Sequence, residues 1–113
     1  MALFSKKAEE LHECKLCGAK VAASNFVTDY EICNSCALLL DVKVQQLAKN
    51  ISFLQEQANA AETPEKKISY LRLMLDNLYE YKVKYYDNEV DVLNQDVEEL
   101  ISEVVDCISF ARL

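Results

Sequence analysis

The sequence has one glycine and one proline in 113 residues. A β-sandwich or barrel turns at every strand end and draws on both residues for its turns, so their scarcity argues against an all-β fold and for long helices. There is one histidine, no Ser/His/Asp set and no glycine-rich loop to cradle a phosphate. Together these absences argue against acid–base, acyl-transfer and nucleotide chemistry. No run approaches the roughly 18 apolar residues that a bilayer span requires. The first residues, Met1-Ala2-Leu3-Phe4-Ser5-Lys6-Lys7, start apolar and turn charged, the reverse of a secretory signal. The expectation is a soluble, cytoplasmic protein with no membrane association. In a reducing compartment, paired cysteines serve more often as metal ligands than as disulfides.

What is present is a chain long enough for one compact domain, 51% hydrophobic, with a net charge of −7. The charge is uneven. Residues 1–50 and 51–86 each balance acids against bases, whereas residues 87–113 carry Asp87, Glu89, Asp91, Asp96, Glu98, Glu99, Glu103 and Asp106 against Arg112 alone. Nucleic-acid binders gain affinity by neutralising phosphates with Lys and Arg, so this balance opposes that role.

Four of the five cysteines form the pattern Cys-x2-Cys-x15-Cys-x2-Cys from Cys14 to Cys36. Two such pairs at that separation are a strong signal for one structural zinc ion held by Cys14, Cys17, Cys33 and Cys36. Four thiolates close the tetrahedron and leave no open position for catalysis. A redox dithiol switch and a disulfide pair are the competing readings. The single glycine, Gly18, directly follows Cys17. In a turn where backbone amides point at sulfur, the residue after the second cysteine often needs positive φ, and glycine supplies it at little steric cost. The second pair, Cys33-Asn34-Ser35-Cys36, runs into Ala37-Leu38-Leu39-Leu40 and reads as a helix start, with Cys33 near the N-cap and Cys36 in the first turn. Between the pairs, Val21–Ala23 and Phe26–Ile32 are expected to form one short hairpin around Ser24-Asn25. His12 is expected to be a surface residue or a neighbour of the site, and Cys107 a buried structural cysteine.

With this spacing and Gly18, residues 12–40 resemble four-cysteine treble-clef zinc fingers. That resemblance implies a knuckle, a hairpin and a helix around one zinc ion. It covers about a quarter of the chain and implies no particular activity, since the group includes DNA-binding, ubiquitin-related, ribosomal and interaction modules.

Beyond the finger, apolar residues at Ala37, Leu40, Val44, Leu47, Ile51, Leu54 and Ala58 alternate spacings of three and four, a packing stripe of coiled-coil type. Leu38, Leu39 and Phe53 are expected to widen it, and the helix to end near Asn59-Ala60-Ala61. Thr63-Pro64-Glu65 is a restart signal. The second stripe is Ile68, Leu71, Leu75 and Leu78 with Met74 beside them; the third is Val90, Leu93, Val97, Leu100, Val104, Cys107 and Ala111. A break near residues 86–89 gives a helical hairpin, with Asp87-Asn88 as the next N-cap. A single helix from Glu65 to Arg112, about 72 Å long, is the alternative and would need a partner chain.

The expected architecture is mainly α: a treble-clef finger, then a three-helix bundle or long helical hairpin. By residue, 1–11 form an N-terminal segment, 12–40 a finger continuous with the first helix, and 37–113 the helical region, folding together. The expected function is non-enzymatic, a zinc-stabilised interaction or adaptor module with a protein partner or a second copy of itself. Candidate interface residues are Tyr79, Tyr81, Tyr85 and Tyr86, whose rings have an apolar body and a polar tip, and Glu98, Glu99 and Glu103 on the acidic segment. Boundary packing and a solvated helix face are the plainer uses of the same residues. Two other functions stay open. The finger, flanked by Lys6, Lys7, Lys15 and Lys20, has the cations to touch nucleic acid. Alternatively, the acidic helix could mimic a nucleic-acid backbone and dock on a basic partner.

Overall fold

A computed structural model describes residues 10–112, which form four short strands and three helices. The apolar-to-charged start, including Lys6 and Lys7, lies outside the described residues. The described residues divide into two compact units, with the division between Leu40 and Asp41.

In the first unit, β1 (Leu11–Glu13) pairs antiparallel with β2 (Lys20–Ala22), His12 opposite Val21. A 3-10 turn over Ala23–Asn25 leads to β3 (Phe26–Val27), which pairs with β4 (Ile32–Cys33), Phe26 opposite Cys33. The sequence predicted one hairpin around Ser24-Asn25; there are two, and Ser24-Asn25 is the link between them. The reason is local. The first cysteine pair occupies the turn of its own hairpin, closed by the Gly18 amide on the Cys14 carbonyl and the Cys14 amide on the Ala19 carbonyl, both at 2.8 Å. That turn brings β2 back onto β1, and β3 pairs with β4 instead of with β2. Helix α1 (Asn34–Ala60) starts directly after Cys33. The buried residues of this unit are Cys14, Ile32, Cys33, Cys36 and Leu40. Three of them are cysteines of the metal pattern, so little apolar core exists apart from the metal site. Units of about 40 residues or fewer usually need a metal or disulfides for that reason.

The second unit is helical. Leu47, Leu54 and Ala58 bury the predicted face of α1, with Val44 and Ile51 half-buried between them. Leu38, Leu39 and Phe53 do not widen that face: they are exposed. Helix α2 (Pro64–Lys84) begins as its sequence dictates, Thr63 Oγ1 accepting the Lys66 amide at 3.3 Å and Pro64 at the first position. It runs beside α1 in the opposite sense, Lys43 pairing with Glu80 at 2.6 Å and Asn50 donating to Asn77 at 3.2 Å. Its buried side is Leu71, Met74, Leu78 and Tyr81, continued by Tyr85 just past its end.

The break falls where the sequence places it, which excludes a single helix from Glu65 to Arg112. Asn88, however, does not cap the next helix. Its side-chain amide donates to the carbonyls of Val83 and Lys84, at 3.2 and 2.9 Å, and so closes the end of α2. A 3-10 turn over Tyr86–Asn88 follows, and Glu89 takes a left-handed conformation, φ 60°. Helix α3 (Val97–Ala111) starts later, capped by Asp96, whose carboxylate accepts the Glu98 amide at 2.9 Å. Val90 and Leu93, the first residues of the predicted third stripe, lie on the non-helical link. Val90 is fully buried there, so its apolar character serves packing without helical geometry. Tyr79 and Val83, which keep the same three-four spacing before Val90, are exposed. Within α3 the buried side is Val97, Ile101, Val104 and Ile108. Leu100 and Ala111 are half-buried and Cys107 is exposed. The packed face is therefore rotated toward Ile101 and Ile108 and away from the Leu100–Cys107 edge, because α3 packs on α2 along that side.

Among the described residues, no helix is long and apolar enough to cross a membrane.

Candidate metal centre

The sulfurs of Cys14, Cys17, Cys33 and Cys36 all lie within 4.8 Å of one another. Cys14 and Cys17 come from the turn of the first hairpin, Cys33 from the end of β4, and Cys36 from the first turn of α1. A tetrahedral centre with metal–sulfur bonds of about 2.3 Å sets its sulfurs about 3.8 Å apart. Cys17 Sγ and Cys33 Sγ, one from each pair, are 3.7 Å apart, and no disulfide joins any of the cysteines. The four cysteines are thus positioned to hold one metal ion, with Cys17 on the solvent side and the other three buried.

Backbone geometry explains the arrangement. Gly18 has φ +77°, the left-handed conformation its position was expected to require. A β-carbon there would meet nothing within 4 Å, so the demand on glycine is conformational and not steric. A second left-handed residue was not foreseen: Glu31, φ 57°, whose carbonyl accepts the Lys15 amide at 3.0 Å and ties the two cysteine pairs together. Nothing in a glutamate advertises that conformation.

The electrostatics suit a cation. Burial raises the pKa of Cys14, but backbone amides of Cys33, Cys17 and Leu16 donate to its sulfur and bring the pKa down to about 6. The Ala19 amide favours the Cys17 thiolate, as does Cys36, yet the Cys14 thiol, burial and the Cys33 thiol together outweigh them and leave its pKa raised. Cys36 is raised strongly, by burial first and then by the three other cysteines. Four thiolates this close repel one another, and a divalent ion among them removes that conflict.

His12 takes no part in the cluster. It stacks on Phe26, ring centroids 4.8 Å apart and 19° from parallel, across the two hairpins. Cys107, expected to be buried, is exposed at the edge of α3.

The interface candidates divide by burial. Tyr81 and Tyr85 are buried and belong to the core of the helical unit, so they present no surface to a partner. The Tyr81 hydroxyl donates to Asp91 Oδ1 at 2.7 Å and accepts the Val92 amide at 3.0 Å. Tyr79 is exposed. Tyr86 is half-buried beside Lys82, and its contact with Glu98 raises its pKa to about 12. Glu98, Glu99 and Glu103 are all exposed on α3.

Comparison with known proteins adds no relative: no family model, no curated protein and no solved structure matches this chain.

Proposed function

We propose that this is a non-enzymatic protein-interaction module whose N-terminal unit is a treble-clef finger folded around one zinc ion. The observation that carries the reading is the closed set of four cysteine sulfurs within 4.8 Å of one another. Such a set uses every coordination position of a tetrahedral ion, so the metal holds structure and has no site for substrate. Zinc suits four thiolates in a cell because it is redox-inert and tetrahedral in such sites. A knuckle in the first hairpin, a second hairpin and a helix that carries the last ligand are the parts of a treble clef. The acidic surface of α3 supports a protein partner over nucleic acid.

The test is capture from native-host extract with the zinc-loaded chain as bait, beside a bait with Cys36→Ser. A defined set of proteins retained only by the zinc-loaded chain supports the reading, and equal retention by both refutes a role for the folded finger. Binding to random duplex that falls steeply with salt would favour the nucleic-acid reading instead.

A further inference from the structure

The helical unit has an open trough along α2, walled by α1 on one side and α3 on the other. One part, about 530 Å³, is lined by Ile51 and Ala58 of α1, Leu71 and Met74 of α2, and Val104 and Cys107 of α3. A second part, about 440 Å³, continues it toward Val44 and Leu47 and shares Ile51, Leu78 and Leu100 with the first. Along α1 the lining runs from Val44 to Asn59, about 22 Å at 1.5 Å per residue, the length of four helical turns. Walls of this kind take the apolar face of an amphipathic helix.

The rim decides what such a helix would carry. On the α1 side the lining residues are uncharged, Gln55 and Asn59 among them, and α2 contributes one cation, Lys67. On the α3 side Glu103 lines the trough, and a contiguous depression of about 380 Å³ adds Asp96 and Glu99. Asp96 is engaged as the cap of α3. Among the described residues Glu99 and Glu103 form no ion pair. They sit one turn apart on one flank, about 6 Å along the axis, which matches basic residues at i and i+4 on a bound helix.

We propose that this trough binds a basic amphipathic helix from another protein, its apolar face on the half-buried Ile51 and Leu100 and the exposed Phe110, and its Lys or Arg side chains on Glu99 and Glu103. The assignment rests on the interaction-module reading and names its site. Charge argues against a second copy as occupant. Of the three helices only α2 has more bases than acids, five against three, and it already forms the floor. Helix α1 is balanced, and α3 would bring like charge against the acidic rim.

The test uses the zinc-loaded full chain and a synthetic 15-residue helix-forming peptide with one leucine stripe, flanked by lysines in one version and glutamates in the other. Fluorescence anisotropy gives affinity, and the alkylation rate of Cys107, which is exposed in the trough, reports position. The lysine peptide should bind one-to-one and slow alkylation of Cys107, whereas the glutamate peptide should do neither. Glu99→Lys with Glu103→Lys should weaken the lysine peptide by about tenfold or more, since attraction becomes like-charge repulsion. Glu62→Lys with Asp76→Lys makes the same charge change on exposed positions away from the trough and should leave affinity within about twofold, as long-range effects are screened. Equal binding of both peptides, binding without protection of Cys107, or a peptide-free dimer with Cys107 already protected would each overturn the assignment. Host partners captured with Cys107 still reactive would also refute the trough while leaving the interaction module standing; absence of any specific host partner would sink that broader reading itself.

Discussion

Removing one oxygen from Tyr81 should weaken the helical unit far more than its size suggests. The ring is fully buried, and its hydroxyl links α2 to the link before α3. It donates to Asp91 Oδ1 at 2.7 Å and accepts the Val92 amide at 3.0 Å, while the same carboxylate oxygen accepts the Leu93 amide at 3.1 Å. In Tyr81→Phe the charge-assisted bond disappears, worth about 1.5–3 kcal/mol, and the Val92 amide loses its acceptor, at about 1 kcal/mol or more. Asp91 is half-buried and recovers part of this through water, so the net cost should be about 2–3 kcal/mol. For a small domain that lowers Tm by roughly 10–20 °C. Urea unfolding followed by circular dichroism measures it, with Asp91→Asn and the double variant completing a cycle. The pair should be strongly non-additive, because each single change breaks the same contact. The pH dependence gives an independent check. Burial first, then the Asp91 bond, raises the Tyr81 pKa above its ordinary value of 10.0. The folded state therefore keeps a proton that the unfolded chain releases. This contribution is complete below pH 10 and is lost as pH rises beyond it. The wild type should lose stability more steeply above pH 10 than Tyr81→Phe. A cost below about 0.5 kcal/mol, the range of unremarkable surface changes, together with parallel alkaline curves, would refute this account of the link.

Other expectations follow from single positions. Gly18→Ala should cost about 1–2 kcal/mol through its left-handed backbone alone, and so should weaken metal affinity without abolishing it; a competitive chelator titration reads this out. Glu89→Gly removes a side chain from a left-handed position and should raise stability by up to about 1 kcal/mol in urea unfolding, since glycine takes φ 60° without strain. Ile101→Asp should unfold the helical unit, whereas Leu100→Asp, half-buried at the trough, should be milder; the reverse order in thermal melts would restore the face that spacing alone predicted.

The features legible in the sequence are those in which a residue type has one physical use. Two cysteine pairs, a lone glycine after one of them and a Thr-Pro restart each name a local geometry, and each is found in place. The face of α1 was legible for the same reason, since three-four spacing over several turns leaves few alternatives. The third stripe misled because Val90 and Leu93 keep heptad spacing on a segment that is not helical. Spacing reports burial, and burial is equally available to an extended link pinned by Tyr81 and Asp91. Cys107 was misplaced by the same stripe, as a shift of one residue in helix phase moves it from core to surface. The second hairpin and the left-handed Glu31 and Glu89 carried no signal, because their conformations are imposed by the contacts around them.

The central claim is that Cys14, Cys17, Cys33 and Cys36 hold one structural zinc ion. It is tested most directly by elemental analysis of protein purified without added metal, with native mass spectrometry to count ions per chain. The account predicts about one zinc per chain, lost in Cys36→Ser together with the fold of residues 10–40, and retained in Cys107→Ser. A folded wild-type chain free of metal, or full zinc occupancy in Cys36→Ser, would contradict it.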